Sequence, residues 1–382
     1  MKKLLLASAI AAACGPGFVS ADIRINGFAN LTAGFTTSEN VDGAGNTTDL
    51  FGYDDNVDFS NGSLFAIQIS GDVNEKVTAT AQLLARGEND YEADFEWAYL
   101  TYSVNDNFSV NAGRLRLPLF RYSASSDVGY SFHWAQTPFS VYDVPFTNLD
   151  GLRLDYTNNI GDWDYTLQLG SGTYTSEIGG GVADGEDVLL ITAEATYESF
   201  KARLVYGQSN TTFTEPTTDA AFAQLAQISP VLADKIALRD DSGTFTGLGL
   251  EYDNFTWFVS GEITKVTGGE SFSADDNAYF VTMGTRIGKF TPSITYEARD
   301  GVEDLKFLED IAALPAQFQP AATQIVVGFQ NFFYEDYALT TVGLRYDLDS
   351  QVALKFDVSS YENKIQDALD ATLVRIAVNY VF

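Results

Sequence analysis

Cysteine is nearly absent from the chain: one thiol, Cys14, lies among the first 21 residues. Those residues read as an export signal, with Lys2 and Lys3 at the start, an apolar stretch over 4–13, and Val19-Ser20-Ala21 as a small-residue cleavage site. Cys14 is then a lipid attachment point or is discarded, and Ala11-Ala12-Ala13 before it, where lipoprotein signals carry leucine, favours discard. Cleavage after Ala21 leaves 361 of the 382 residues as one domain, 22–382. That mature chain has no cysteine, which excludes disulfides, thiolate metal sites and a cysteine nucleophile. Histidine is equally scarce. A catalytic triad or a histidine metal site has only His133 to be built on.

Basic residues are outnumbered, 22 against 52 acidic, for a net charge of −30, and removal of Lys2 and Lys3 leaves 20 against 52. Such a chain repels nucleic acid, so no nucleic-acid partner is expected. Long apolar runs are missing as well. No mature stretch approaches the ~18 continuous apolar residues that a spanning helix needs. A membrane role is thereby left only to a closed barrel, in which alternate residues face lipid. High charge at low hydropathy is also a mark of disorder, but 28 Phe and 20 Tyr set in regular alternation speak against it.

Strands with a period of two are plentiful. Ile376, Val378, Tyr380 and Phe382 share one face of the last segment, and Arg375, Ala377, Asn379 and Val381 the other. The same alternation sets Ile23, Ile25, Ala29, Leu31, Ala33 and Phe35 against Arg24, Asn26, Asn30 and Thr32. Sixteen such segments can be traced. Their connections alternate between tight turns, such as 74–76 and 105–107, and longer ones, including 37–59, 117–149, 210–245 and 299–336. Short turns on one rim and long loops on the other predict an all-β, antiparallel transmembrane barrel. Aromatics bracket the short turns: Tyr102 with Phe108, Tyr156 with Trp163, Tyr197 with Phe200, and Tyr252 with Phe255. That placement predicts an interfacial girdle. Residues 220–238 and 302–314 carry helical patterning, with Pro230 and Pro315 as breakers, and are expected to cap the outer mouth. The run 325–333 extends the next strand or adds a strand pair, so eighteen strands stay open beside sixteen.

This register turns Arg24, Arg86, Arg114, Arg153, Lys201, Arg203, Arg286, Arg345, Lys355 and Arg375 toward the lumen, with Asp155, Asp164, Glu194, Glu251, Glu262, Glu297, Asp347 and Asp357. Arg114 shares parity with apolar Phe108, Val110 and Ala112, and it faces inward only if a bulge near Gly113 re-aims it. Inward charges on the later strands are expected to brace one another across strands. Outward residues on the early strands, Ala29, Ala33, Ala79, Ala81, Ala85, Ala98 and Ala112, are small enough for a close subunit contact, although alanine is a common residue.

Over its whole mature length the chain resembles the general porins of Gram-negative outer membranes. The resemblance rests on terminal Phe382 with Tyr380 two residues earlier, and on a long third loop, 117–149, after a fifth strand that ends near Gly113-Arg114. It implies that Tyr380 and Phe382 form an assembly signal and that the third loop folds into the lumen as a constriction. It also implies a wall of arginines, Arg24, Arg86, Arg114, Arg153 and Arg375, facing Asp127 and Asp143. The function implied is passive diffusion of ions and small hydrophilic solutes through a homotrimer, without cofactor or catalysis. The second external loop, 87–94, is short where that family uses it as a latch between subunits. An alternative is a channel specific for a sugar or an anion, which Tyr122, Tyr130, Phe132, Trp134, Phe139 and Tyr142 in the third loop keep open. An outer-membrane hydrolase is the weaker alternative. The acidic external loops are expected to meet lipid and lipopolysaccharide, with divalent cations bridging carboxylates to lipid phosphates, or else to form a merely solvated acidic surface.

Overall fold

The computed structural model describes residues 22–38, 40–41, 47–144, 146–178, 180–269 and 271–382, so the expected export signal lies outside the described residues. Sixteen strands close into one antiparallel barrel. They are β1 (Ile23–Thr36), β2 (Leu64–Asn74), β3 (Val77–Arg86), β4 (Ala93–Ser103), β5 (Phe108–Arg116), β6 (Asn148–Ile160), β7 (Trp163–Ile178) and β8 (Gly181–Tyr197). The circuit continues through β9 (Phe200–Thr214), β10 (Asp241–Asp253), β11 (Trp257–Thr267), β12 (Asp276–Thr285), β13 (Phe290–Asp300), β14 (Asp336–Asp347), β15 (Val352–Asn363) and β16 (Ala371–Val381). Each strand pairs with its neighbour in sequence, and β16 returns to β1 with Ala29 opposite Tyr380 and Ala33 opposite Ile376. Main-chain hydrogen bonds between Gly27 and Phe382, 2.9 and 3.0 Å, complete the seam. A Cβ on Gly27 would lie 2.2 Å from the Phe382 ring and 2.7 Å from the Ala66 carbonyl oxygen, so only glycine lets the last ring lie flat there.

The outer wall is apolar by alternation, with Leu31, Phe65, Leu100, Leu152, Leu204, Ile263, Val342 and Ile376 all exposed. Next to the short turns aromatic rings meet across strands: Trp163 with Tyr197 at 4.9 Å, Phe200 with Tyr252 at 4.7 Å, Phe290 with Tyr346 at 4.8 Å. These form the expected girdle.

The run 325–333 is helix rather than strand. It belongs to a helix over Gln319–Phe333 with proline in its first turn, and it buries Ala322 and Val326 at a spacing of four. The barrel therefore has sixteen strands. Two helices, Pro216–Ile228 and Pro230–Ile236, replace the single patterned segment 220–238, because Pro230 opens the second of them. In 302–314 only Leu308–Ala312 is helical. These helices share one apolar cluster on the long-loop rim, built on Phe222, Leu225, Ile236, Phe272 and Val326.

Candidate functional site

The third long connection, described over residues 117–144 and 146–147, runs inside the barrel and meets the wall almost all the way round. Its apolar side chains Leu117, Leu119, Phe120, Phe132, Trp134 and Val141 pack against Tyr174, Val188, Leu190, Val205, Phe245 and Phe280 of β7–β12. From the first loop, Phe51 stacks on Phe139 at 4.0 Å.

Polar wall residues hold the main chain of this loop. Lys355 donates to the carbonyls of Gly129 and Trp134, at 2.5 and 2.6 Å, with its ammonium 4.5 Å from the Phe132 ring. Arg345 donates to the carbonyls of Tyr130 and Phe132, at 2.7 and 2.8 Å. Carboxylates accept the loop's amides: Glu262 from Arg121 at 2.7 Å, Asp357 from Ala135 at 2.8 Å, and Glu297 from Ser140 at 2.8 Å. Arg203 donates to the Pro118 carbonyl, and Asn30 to that of Asp127 at 2.8 Å. Hydrogen bonds to charged groups contribute about 1.5–3 kcal/mol each. The loop is therefore docked firmly. The lumenal parity of Arg203, Glu262, Glu297, Arg345, Lys355 and Asp357 is as the alternation predicts, but their partner is largely the loop backbone rather than one another.

The expected arginine wall divides. Arg86 and Asp127 do meet, at 3.1 Å, and Arg86 also reaches Glu96 at 3.2 Å. Arg116, which the sequence reading passed over, bonds Glu96 and lies 3.3 Å from Asp127. Opposite charges here are in contact instead of facing each other across water. Glu96 turns inward through a bulge in β4: Trp97 pairs with Gln82, but Phe95 pairs with Leu83.

Arg114 faces outward. Gly113 has a φ of +133°, yet its register with β6 is unbroken, so Arg114 falls opposite Asp150, its ion-pair partner at 3.4 Å. Arg24 stands near the short-turn rim, half exposed and 3.2 Å from Asp72, away from the loop. Asp143 is paired with Arg299 at 3.7 Å and is largely exposed. Arg153 is engaged by Asp155 at 2.8 Å on its own strand and donates to the Arg116 carbonyl. Arg375 is buried beside Asp357 at 3.8 Å and reaches the loop through the Phe139 ring, 5.2 Å away.

His133 is buried, 2.9 Å from the Thr282 hydroxyl, between the rings of Trp134 and Phe258. Burial, with Lys355 and Arg345 adding to it, holds its imidazole well below the usual histidine range. Burial likewise pushes the Tyr122 phenol up to about 12. Among the described residues no group of three or more His, Cys, Asp or Glu converges as a metal site.

Two cavities lie on opposite sides of the loop. The outer one, about 240 Å³, is lined by Arg86, Glu88, Arg116, Asp127 and Gln136 among others, and it opens toward the long-loop rim. The inner one, about 410 Å³, is lined by Arg121, Asp253, Arg286, Arg345 and Asp347, toward the short turns. Among the described residues, Phe132 alone lines both.

A closed sixteen-strand barrel whose third external loop is folded into its lumen has the fold of the porins. No family model matches the sequence, and no curated protein matches it. Solved structures do. An anion-selective porin from Comamonas acidovorans superposes with a TM-score of 0.58 at 12% identity, over 95% of this chain and 100% of that one. The outer membrane channel DcaP of Acinetobacter baumannii gives 0.57 at 12% identity, over 95% and 97%. A loop L8 deletion mutant of OmpT, an outer membrane protein of Vibrio cholerae, gives 0.57 at 11%, over 95% and 99%. At these identities the likeness is one of fold.

Proposed function

We propose that the chain is an outer-membrane porin, passing ions and small hydrophilic solutes by passive diffusion, assembled as a homotrimer and without catalytic activity. One observation carries this reading: a barrel with an apolar outer wall holds two charged cavities on opposite sides of an inserted loop, and Phe132 lines both. An aromatic side chain shared by two charged compartments supports a constriction at that point, one that opposes wetting. The charges on either side are largely paired, so selectivity is weak and set at the mouth. Acidic external loops concentrate cations there, an effect that fades as salt shortens the Debye length below ~8 Å. The same loops meet lipopolysaccharide, where divalent cations bridge single carboxylates to lipid phosphates. His133 is no general base: its Nε2 is committed to Thr282, and its ring is enclosed. The alanines of β1 and β3–β5 form the subunit contact, and the outward Arg114–Asp150 pair on β5 and β6 lies beside it.

Purified protein added to a planar bilayer tests the reading. Stepwise, ohmic current is the expected result, and its complete absence at saturating protein would remove the channel assignment.

A further inference from the structure

The inner cavity is built from one motif repeated three times, an arginine bonded to a carboxylate and set against an aromatic ring. Arg286 makes a two-pronged bond to Asp253, 2.7 Å in each arm, and sits 5.1 Å from the Phe258 ring. Arg345 holds Asp347 at 2.7 Å and lies 4.7 Å from the Tyr130 ring. Arg121 bonds Glu251 and lies 4.5 Å from the Tyr122 ring. The cavity of about 410 Å³ that they surround falls in the size range of small-molecule sites.

These three pairs decide which class of solute is held. An anion would have to draw a guanidinium away from a carboxylate that already satisfies it, leaving that carboxylate unpaired in a confined space. A cation meets the mirror-image cost. A neutral solute rich in hydroxyls breaks no pair. Adjacent hydroxyls accept from the guanidinium and donate to the carboxylate of one pair, using the Nε–H of Arg286 and of Arg121, which bond no other group among the described residues, and the spare carboxylate lone pairs. The aromatic rings offer flat contact to the carbon faces of such a solute. We infer that the inner cavity is a binding subsite for a neutral polyhydroxylated solute of mono- to disaccharide size, entered from the short-turn side. This rests on the channel reading and adds a substrate class to it.

The test uses sucrose, succinate and putrescine as neutral, anionic and cationic probes on the full chain. In a planar bilayer, sucrose at millimolar concentration on the short-turn side should interrupt the current, and the same sucrose on the opposite side should do so at least tenfold less often. Succinate and putrescine should not interrupt it. Arg286→Gln and, as a variant that keeps apolar volume, Phe258→Leu should each raise the half-blocking sucrose concentration about tenfold. In detergent, with Trp97, Trp163 and Trp257 replaced by phenylalanine so that Trp134 alone emits, its emission should titrate with sucrose independently of any current, because its ring is 4.1 Å from that of His133 at the cavity. Current with neither sucrose block nor a Trp134 response would overturn the subsite and leave the channel standing. Block by succinate or putrescine at equal concentration would overturn the solute class. A Trp134 titration without any current would retain the subsite and remove the channel.

Discussion

Replacing Phe132 with alanine removes the side chain that lines both cavities, and the size of the expected effect can be worked out. The lost phenyl frees room for about two to three waters at the ~30 Å³ each occupies in the liquid. That is enough to join the compartments by a wetted path. Truncating a buried phenylalanine costs about 3–5 kcal/mol. The loop nonetheless has reason to stay seated, because Lys355 and Arg345 grip the carbonyls of Gly129, Trp134, Tyr130 and Phe132, and all four are main-chain atoms that the substitution leaves in place. At about 1.5–3 kcal/mol per charged hydrogen bond, these four alone outweigh the loss. Single-channel conductance in 1 M KCl should therefore rise about twofold or more, with the barrel's gel mobility before and after heating unchanged. Conductance equal to that of the unsubstituted protein would show that ions pass elsewhere, and the constriction would have to be reassigned.

Acidification should loosen the loop at His133. Its imidazole titrates well below the ~6.5 of an unfolded chain, so the stability it lends is present above that pH and is lost as pH falls toward the folded value. Trp134 emission should shift as pH falls below that of a free imidazole in the natural sequence, and the shift should be smaller in His133→Asn, where only the carboxyls that hold the loop still titrate; equal pH profiles would refute the assignment. Asp127→Asn leaves Arg86 and Arg116 with one carboxylate fewer, so the reversal potential in a KCl gradient should move toward anion preference, whereas Asp143→Asn should not change it. Ala81→Arg, outward on β3, places a charge that costs about 2–4 kcal/mol at mid-membrane, and native mass measurement should report monomers in place of trimers. Deleting Phe382, or replacing Gly27 with valine, should lower the amount of protein inserted in the membrane, as read by surface labelling; normal levels of both variants would dissociate the seam from assembly.

Period-two alternation made the barrel and its lumenal parity legible, because each strand carries its own record of which side faces lipid. Breaks in that record were harder to place. Phe95 and Trp97 share parity and are both aromatic, yet one is exposed on the outer wall and the other buried inside, since the bulge at Glu96 intervenes. Nothing local marks it. The register stays unbroken at Gly113, so Arg114 keeps the outward parity of Val110 and Ala112. Arg116, of the same parity, meets Glu96 and Asp127 inside at the strand's last residue, where alternation no longer applies. Residues 325–333 are apolar enough to satisfy either period, and proline at the start of the helix decides for the slower one. The grip of Lys355 and Arg345 was out of reach for another reason: carbonyls have no sequence signature, and which ones lie opposite depends on how the loop lies in the closed barrel.

The seam between β1 and β16 sets the order in which this molecule is made. Every other strand pair joins neighbours in sequence, so each of those pairings closes only a local stretch of chain. Closure joins β1 to β16, and all the strands between them must be present before it occurs. Until then both edges are open to pairing with other chains. The Phe382 ring, seated over Gly27, belongs to the contact that ends the hazard; the time until that contact forms is the protein's window of vulnerability.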